Sequence, residues 1–108
     1  MTDERQHYMY VMYPTDPAKA ANRGTWTERD FETFDLHMEH LNRLKDAGHI
    51  VLVGRTLDAD GKGPAICVFQ ADSADEAQRI FEEEPFVTRG FCTATLHEFS
   101  NPILGSSQ

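Results

Sequence analysis

Apolar residues fall along the chain in two rhythms, short unbroken runs and one long helical period, and their alternation sets an order of elements. Tyr8 to Tyr13 (YMYVMY) is an apolar and aromatic run with polar residues before it and Pro14 after it, the pattern of a strand buried on both faces. Pro14 to Thr25 mixes Pro, Asp, Asn and Gly without periodicity and reads as a loop, longer than most connections and of the kind that closes over a site. From Trp26 to Ala47 the spacing is helical. Phe34, Met38, Leu41 and Leu44 share one side, and Glu32, Asp35, Glu39, Arg43 and Asp46 the other. Thr25 with Glu28, or Thr27 with Asp30, has the spacing of a capping box, and Gly48 supplies a stop. His37 falls inside the apolar sector of this helix and His40 at its edge, beside Leu36, Leu44 and Ala47.

Two further apolar runs, Ile50 to Arg55 and Ala65 to Gln70, flank a segment rich in Asp and Gly, so they predict an antiparallel hairpin. Ser73-Ala74-Asp75-Glu76 is another capping box, opening a short helix to about Glu83, with Pro85 as its stop. Phe91 to Phe99 alternates as a last strand. The order β-α-β-β-α-β is that of ferredoxin-like α+β folds: a four-stranded antiparallel sheet in spatial order 4-1-3-2 with both helices on one face. The strands carry more apolar residues than one helical layer buries, so the open face calls for a lid, a ligand or a second subunit.

With 108 residues and 40% hydrophobic content, the chain fits one domain over 1–108, with a core at about 8–99 and a tail at 100–108. Ile103 and Leu104 give that tail the means to reach a partner. The net charge of −8 argues against binding nucleic acid or an anionic membrane surface. No apolar run approaches a membrane span, and MTDERQHY has no signal-peptide core, so the expected compartment is the cytoplasm. Cys67 and Cys92 lack metal-site spacing. In the strand order above they lie on either side of the first strand, too far apart for a disulfide, and are expected to be free and buried.

Candidate chemistry centres on the histidines. His37 and His40 could share a metal, but no third ligand stands at a diagnostic spacing, so neither a metal nor a cofactor is expected. Glu82 to Glu84 reads most simply as a solvated helix end. Arg55 and Arg89 are candidates for clamping a carboxylate, and Tyr8, Tyr10, Tyr13 and Trp26 for lining an aromatic pocket.

The segment from His40 to Leu44, Ala47-Gly48 with the strand to Gly54, Ser73 to Ala77, Glu84-Pro85-Phe86 and Gly90-Phe91 together resemble the YciI-like (YCII-related) family of small dimeric α+β barrel proteins, over about Tyr8 to Phe99. The resemblance implies a homodimer joined through the open sheet faces, with a pocket for a small molecule in each subunit. It also implies an acid/base dyad of a histidine on the first helix and an aspartate in a DP(F/Y) motif. One characterised relative is a dehydrochlorinase. His40 stands at the family's histidine and Glu84 at its aspartate, a departure that lengthens the side chain by a methylene. The expectation is a lyase or isomerase with His40 and Glu84 catalytic and Tyr10, Arg55, His37 and Phe86 around the ligand. The alternative is a non-catalytic dimeric module that holds a metabolite.

Overall fold

The computed structural model describes residues 6–100 and Pro102. The N-terminal residues 1–5 and the tail from Asn101 on, Pro102 apart, lie outside the described residues, and so does the expected reach of Ile103 and Leu104. Four strands form one sheet: β1 (Gln6–Pro14), β2 (Ile50–Arg55), β3 (Ala65–Ala71) and β4 (Cys92–Glu98). Their order is β2-β3-β1-β4 with every pairing antiparallel, the topology expected from the sequence.

The long helix α2 (Glu28–Asp46) begins at the Thr27–Asp30 capping box, in which each residue's side chain accepts from the other's backbone N–H. The helix α3 (Ala74–Glu82) begins where Ser73 accepts from the Glu76 amide. Leu41 and Leu44 of α2 and Ala77 and Ile80 of α3 close one face of the sheet, burying Tyr8, Tyr10, Met12, Cys67, Phe69 and Ala71 between them. The strand β1 is therefore covered on one face rather than on both. Its alternate residues Met9 and Val11 are half-buried, and Tyr13 is 50% exposed. They share the uncovered face with Leu52, which is 54% exposed, and with the paired positions Ile66 and Val68.

Two short helices have no counterpart in the periodicity, because a single turn is too short to show one. In the expected loop, α1 (Pro17–Ala21) starts with Asp16 accepting from the Lys19 amide and Pro17 in the first turn. A 3-10 turn at Arg23–Thr25 follows, capped by Asn22. The Trp26 indole N–H donates to the Lys19 carbonyl at 2.8 Å and ties the segment down. Across from it, Gly61 of the β2–β3 turn has φ +72°, and a Cβ there would stand 2.3 Å from the Pro17 carbonyl oxygen. The second short helix is α4 (Pro85–Thr88). Pro85 starts this helix instead of merely ending the last, since its missing N–H and fixed φ suit a first helical position.

Candidate active site

Glu84 is the N-cap of α4, accepting from the Phe86 amide at 3.0 Å, and this role carries its carboxylate inward. Glu82 and Glu83 are exposed as a helix end should be, whereas Glu84 is 0% exposed. A buried carboxylate needs donors on both oxygens. Tyr10 of β1 donates its hydroxyl to Oε1 at 2.6 Å, and His37 of α2 meets Oε2 through Nδ1 at 2.7 Å. Residues from three distant parts of the chain thus converge on one carboxylate.

Burial pushes the Glu84 carboxyl up, but the hydrogen bond and charge of His37, with the Tyr10 and Phe86 donors, outweigh it and hold the group below the usual carboxylate range. Glu84 is then an anion at neutral pH and an acceptor only, so the Nδ1–H of His37 is the donor and Nε2 keeps the ring's lone pair in the neutral form. Burial, with the Glu84 charge beside it, pushes the Tyr10 phenol far up, so it stays a donor. The His37 ring stacks on Phe86 at 3.9 Å between centroids and 8° between planes, which fixes its rotation.

The partners of Glu84, though not Glu84 itself, stand at the wall of a cleft of about 740 Å³ between α2, the helix-covered face of the sheet and the segment bearing α1. Tyr10, His37, Arg55 and Phe86 all line it, together with Trp26, Phe34 and Phe91. The aromatic side chains are in mutual contact: Trp26 lies against Phe34 at 6.0 Å and against Phe91 at 5.3 Å, and Phe91 stacks on Phe86 at 4.8 Å. Such a wall accepts a planar ligand by its face or edge.

The expected contact between His40 and Glu84 is not made; the carboxylate is taken by His37, which was expected around the ligand rather than at Glu84. Positions 37 and 40 point about 60° apart on a helix, and it is His37 whose ring meets the Glu84-Pro85-Phe86 turn. His40 is 2% exposed and its Nε2 has no partner among the described residues. Burial lowers its pKa, helped by Arg43 and His37 and opposed in part by the charges of Glu84 and Glu83. A histidine depressed in the folded state binds its proton in the unfolded chain first, so its contribution falls away as pH drops below about 6.5. The His40→Phe variant is expected to lose less stability than the parent between about pH 7.5 and 5.5, as read from urea midpoints, because it removes this proton uptake. Equal losses in the two proteins would refute that account.

Of the candidate clamps, Arg89 is committed elsewhere: Nε donates to Thr33 Oγ1 at 2.8 Å and the guanidinium pairs with Glu32, joining α4 to α2. Arg55 is exposed at the cleft. Cys67 and Cys92 are free and buried, and burial pushes both thiols up to about 12, so they stay protonated. Among the described residues, no group of three or more His, Cys, Asp or Glu is placed to hold a metal ion, and no helix is long and apolar enough to cross a membrane.

The pattern of the YCII-related domain matches residues 7–100, which takes in Tyr10, His37, Glu84 and all of the sheet but Gln6. The chain belongs to the YCII-related domain family. Among solved structures it is similar to 5-chloro-2-hydroxyhydroquinone dehydrochlorinase from Burkholderia phenoliruptrix AC1100, in complex with 2,5-dihydroxybenzoquinone. That match has a TM-score of 0.57 at 19% identity and covers 85% of this chain and 93% of the other, a likeness of fold. A search of curated proteins gave no match. In this YCII-related chain His37 was expected around the ligand, and the signal for its pairing with Glu84 was its place on the helix. A histidine in the middle of an apolar helix face needs a buried polar partner, and Glu84, directly before a proline, was available as one.

Proposed function

We propose that the protein is a small-molecule enzyme of lyase or isomerase type, in which His37 moves a proton and Glu84 orients and charges it. The observation that carries this reading is the 2.7 Å contact between His37 Nδ1 and the buried Glu84 carboxylate at the wall of the cleft. With Nδ1–H held by the carboxylate, Nε2 is the base. It takes a proton from a carbon or oxygen of the ligand, and Glu84 stabilises the imidazolium that forms. The proton then returns at another atom, or a leaving group departs with its electron pair. Tyr10 holds the far side of the carboxylate, while Phe86 and Arg55 contact the ligand. The structurally similar dehydrochlorinase, with a hydroxylated quinone in its complex, suits the same class: a planar ring compound that gains or loses a proton.

Two copies of the chain are proposed to meet through the uncovered sheet face, which Met9, Val11, Tyr13, Leu52 and Ile66 make apolar. This leaves the cleft, on the opposite face, open in each copy.

The test is exchange of ligand protons with deuterated water, followed by NMR over a panel of small hydroxyquinones and cyclic ketones. The parent protein is expected to catalyse exchange of at least one compound, and the His37→Gln variant to slow it by about 100-fold or more. His40→Gln run in parallel separates the two histidines. Loss in that variant alone, with His37→Gln unaffected, would transfer the role to His40. Binding without exchange would leave the protein a metabolite-holding module.

A further inference from the structure

The acidic side chains outnumber the basic ones by 18 to 10, so an arginine without a carboxylate partner is not short of acids to choose from. Lys19 pairs with Asp30 and Arg89 with Glu32. At the cleft, Arg23 and Arg55 have no such partner among the described residues. The carboxylate of Asp58, which also lines the cleft, accepts from the Thr56 hydroxyl at 2.6 Å.

Arg23 is held in place by rings instead. Its guanidinium carbon lies 4.8 Å from the centre of the Trp26 ring and 4.6 Å from that of Phe34. A guanidinium held over two ring faces is restrained in position while its N–H groups remain for a planar acceptor. The backbone beneath is fixed as well, since Arg23 opens the 3-10 turn that Asn22 caps, and Trp26 is anchored on Lys19. Phe34 neighbours both this guanidinium and the proposed base: its ring centre is 6.4 Å from that of His37. One aromatic ring bearing a carboxylate can reach from the first to the second.

We infer that Arg23 is a specificity-determining residue that binds the carboxylate of a planar, conjugated ligand, laying its ring along the Phe34–Phe86 wall toward His37. The substrate class is thereby narrowed to small aromatic or unsaturated carboxylates. The inference rests on the cleft being the small-molecule site proposed above, but not on any proton transfer there.

Trp26 is the single tryptophan of the chain and lies against Arg23, so its indole N–H resonance reports directly on occupancy. The experiment titrates the intact protein with benzoate and 2-naphthoate, and with the matching neutral amides, following that resonance. The expected result is millimolar binding of at least one carboxylate, its amide binding about tenfold more weakly or worse. In Arg23→Gln, whose circular dichroism should match the parent because the side chain is exposed, the preference should vanish. It should survive in His37→Gln, so that loss of exchange and loss of selectivity are separate failures. Equal binding of acid and amide overturns the inference, as does absence of binding up to about 10 mM. So does a preference that persists in Arg23→Gln or that is removed by Arg55→Gln instead.

Discussion

Replacing Glu84 by alanine is expected to lower the folding free energy by about 3 kcal/mol or more and the melting temperature by roughly 15 °C. The carboxylate is fully buried and accepts from the Tyr10 hydroxyl, the His37 ring and the Phe86 amide. Alanine leaves three donors facing an empty space and takes away the cap of α4. Glu84→Gln keeps the volume but turns an amide NH₂ toward a donor, so it should cost less, about 1–2 kcal/mol. The two variants also differ from the parent in acid. A carboxyl whose folded value is depressed contributes in full above its unfolded value near 4.3, and the contribution is lost as pH falls through the lower folded value. Glu84→Gln has no such loss, so the gap between it and the parent should narrow as pH is lowered from about 6 to about 3. Thermal and urea unfolding followed by circular dichroism check both points. An alanine variant within about 1 kcal/mol of the parent would show that the carboxylate does not hold these donors together.

The second large effect is expected on the opposite side of the sheet. Val11 lies at the middle of the uncovered face, paired with Ile66 on one side and Thr95 on the other. An arginine there would place a charge inside the proposed contact between copies, where burying it without a partner costs several kcal/mol. Sedimentation should show the parent as a dimer at tens of micromolar and Val11→Arg as a monomer, the dissociation constant rising by about 100-fold or more. Because Val11 is only half-buried in the single chain, the variant should retain its secondary structure. A parent protein that sediments as a monomer at that concentration would rule out the interface.

The sheet was legible because each strand carries its own marker. YMYVMY before Pro14, IVLVGR and AICVFQ around the Asp/Gly turn, and the alternation before Phe99 each define a strand with no help from the rest of the chain. The capping residues marked the helix starts for the same reason, since a cap is a local bond: Ser73 did so alone, and Thr27 as one of two candidates with Thr25. The site was read only in part. Glu84 was singled out, and Tyr10, Arg55, His37 and Phe86 do lie around one cleft. The choice between His37 and His40 depends on where α4 sits against α2, and α4 is too short to leave a period in the sequence. Arg23 escaped notice because its neighbours in sequence are those of a loop, and its partners are ring faces rather than charges.

Gly61 and the Pro17 carbonyl interlock where no side chain fits, so the roof of the cleft is made of two pieces, the turn after β2 and the segment carrying α1, which are keyed together at Gly61. His37 and the Glu84 carboxylate, the proposed base and its partner, belong to the floor, anchored in β1, α2 and α4. Roof and floor come from different stretches of chain and meet at the rings of Trp26, Phe34 and Phe91 and at the Lys19–Asp30 pair. Exchanging the turn and the α1 segment as a matched pair would then reshape the cleft, while His37, Glu84, Tyr10 and the sheet beneath them stay as they are.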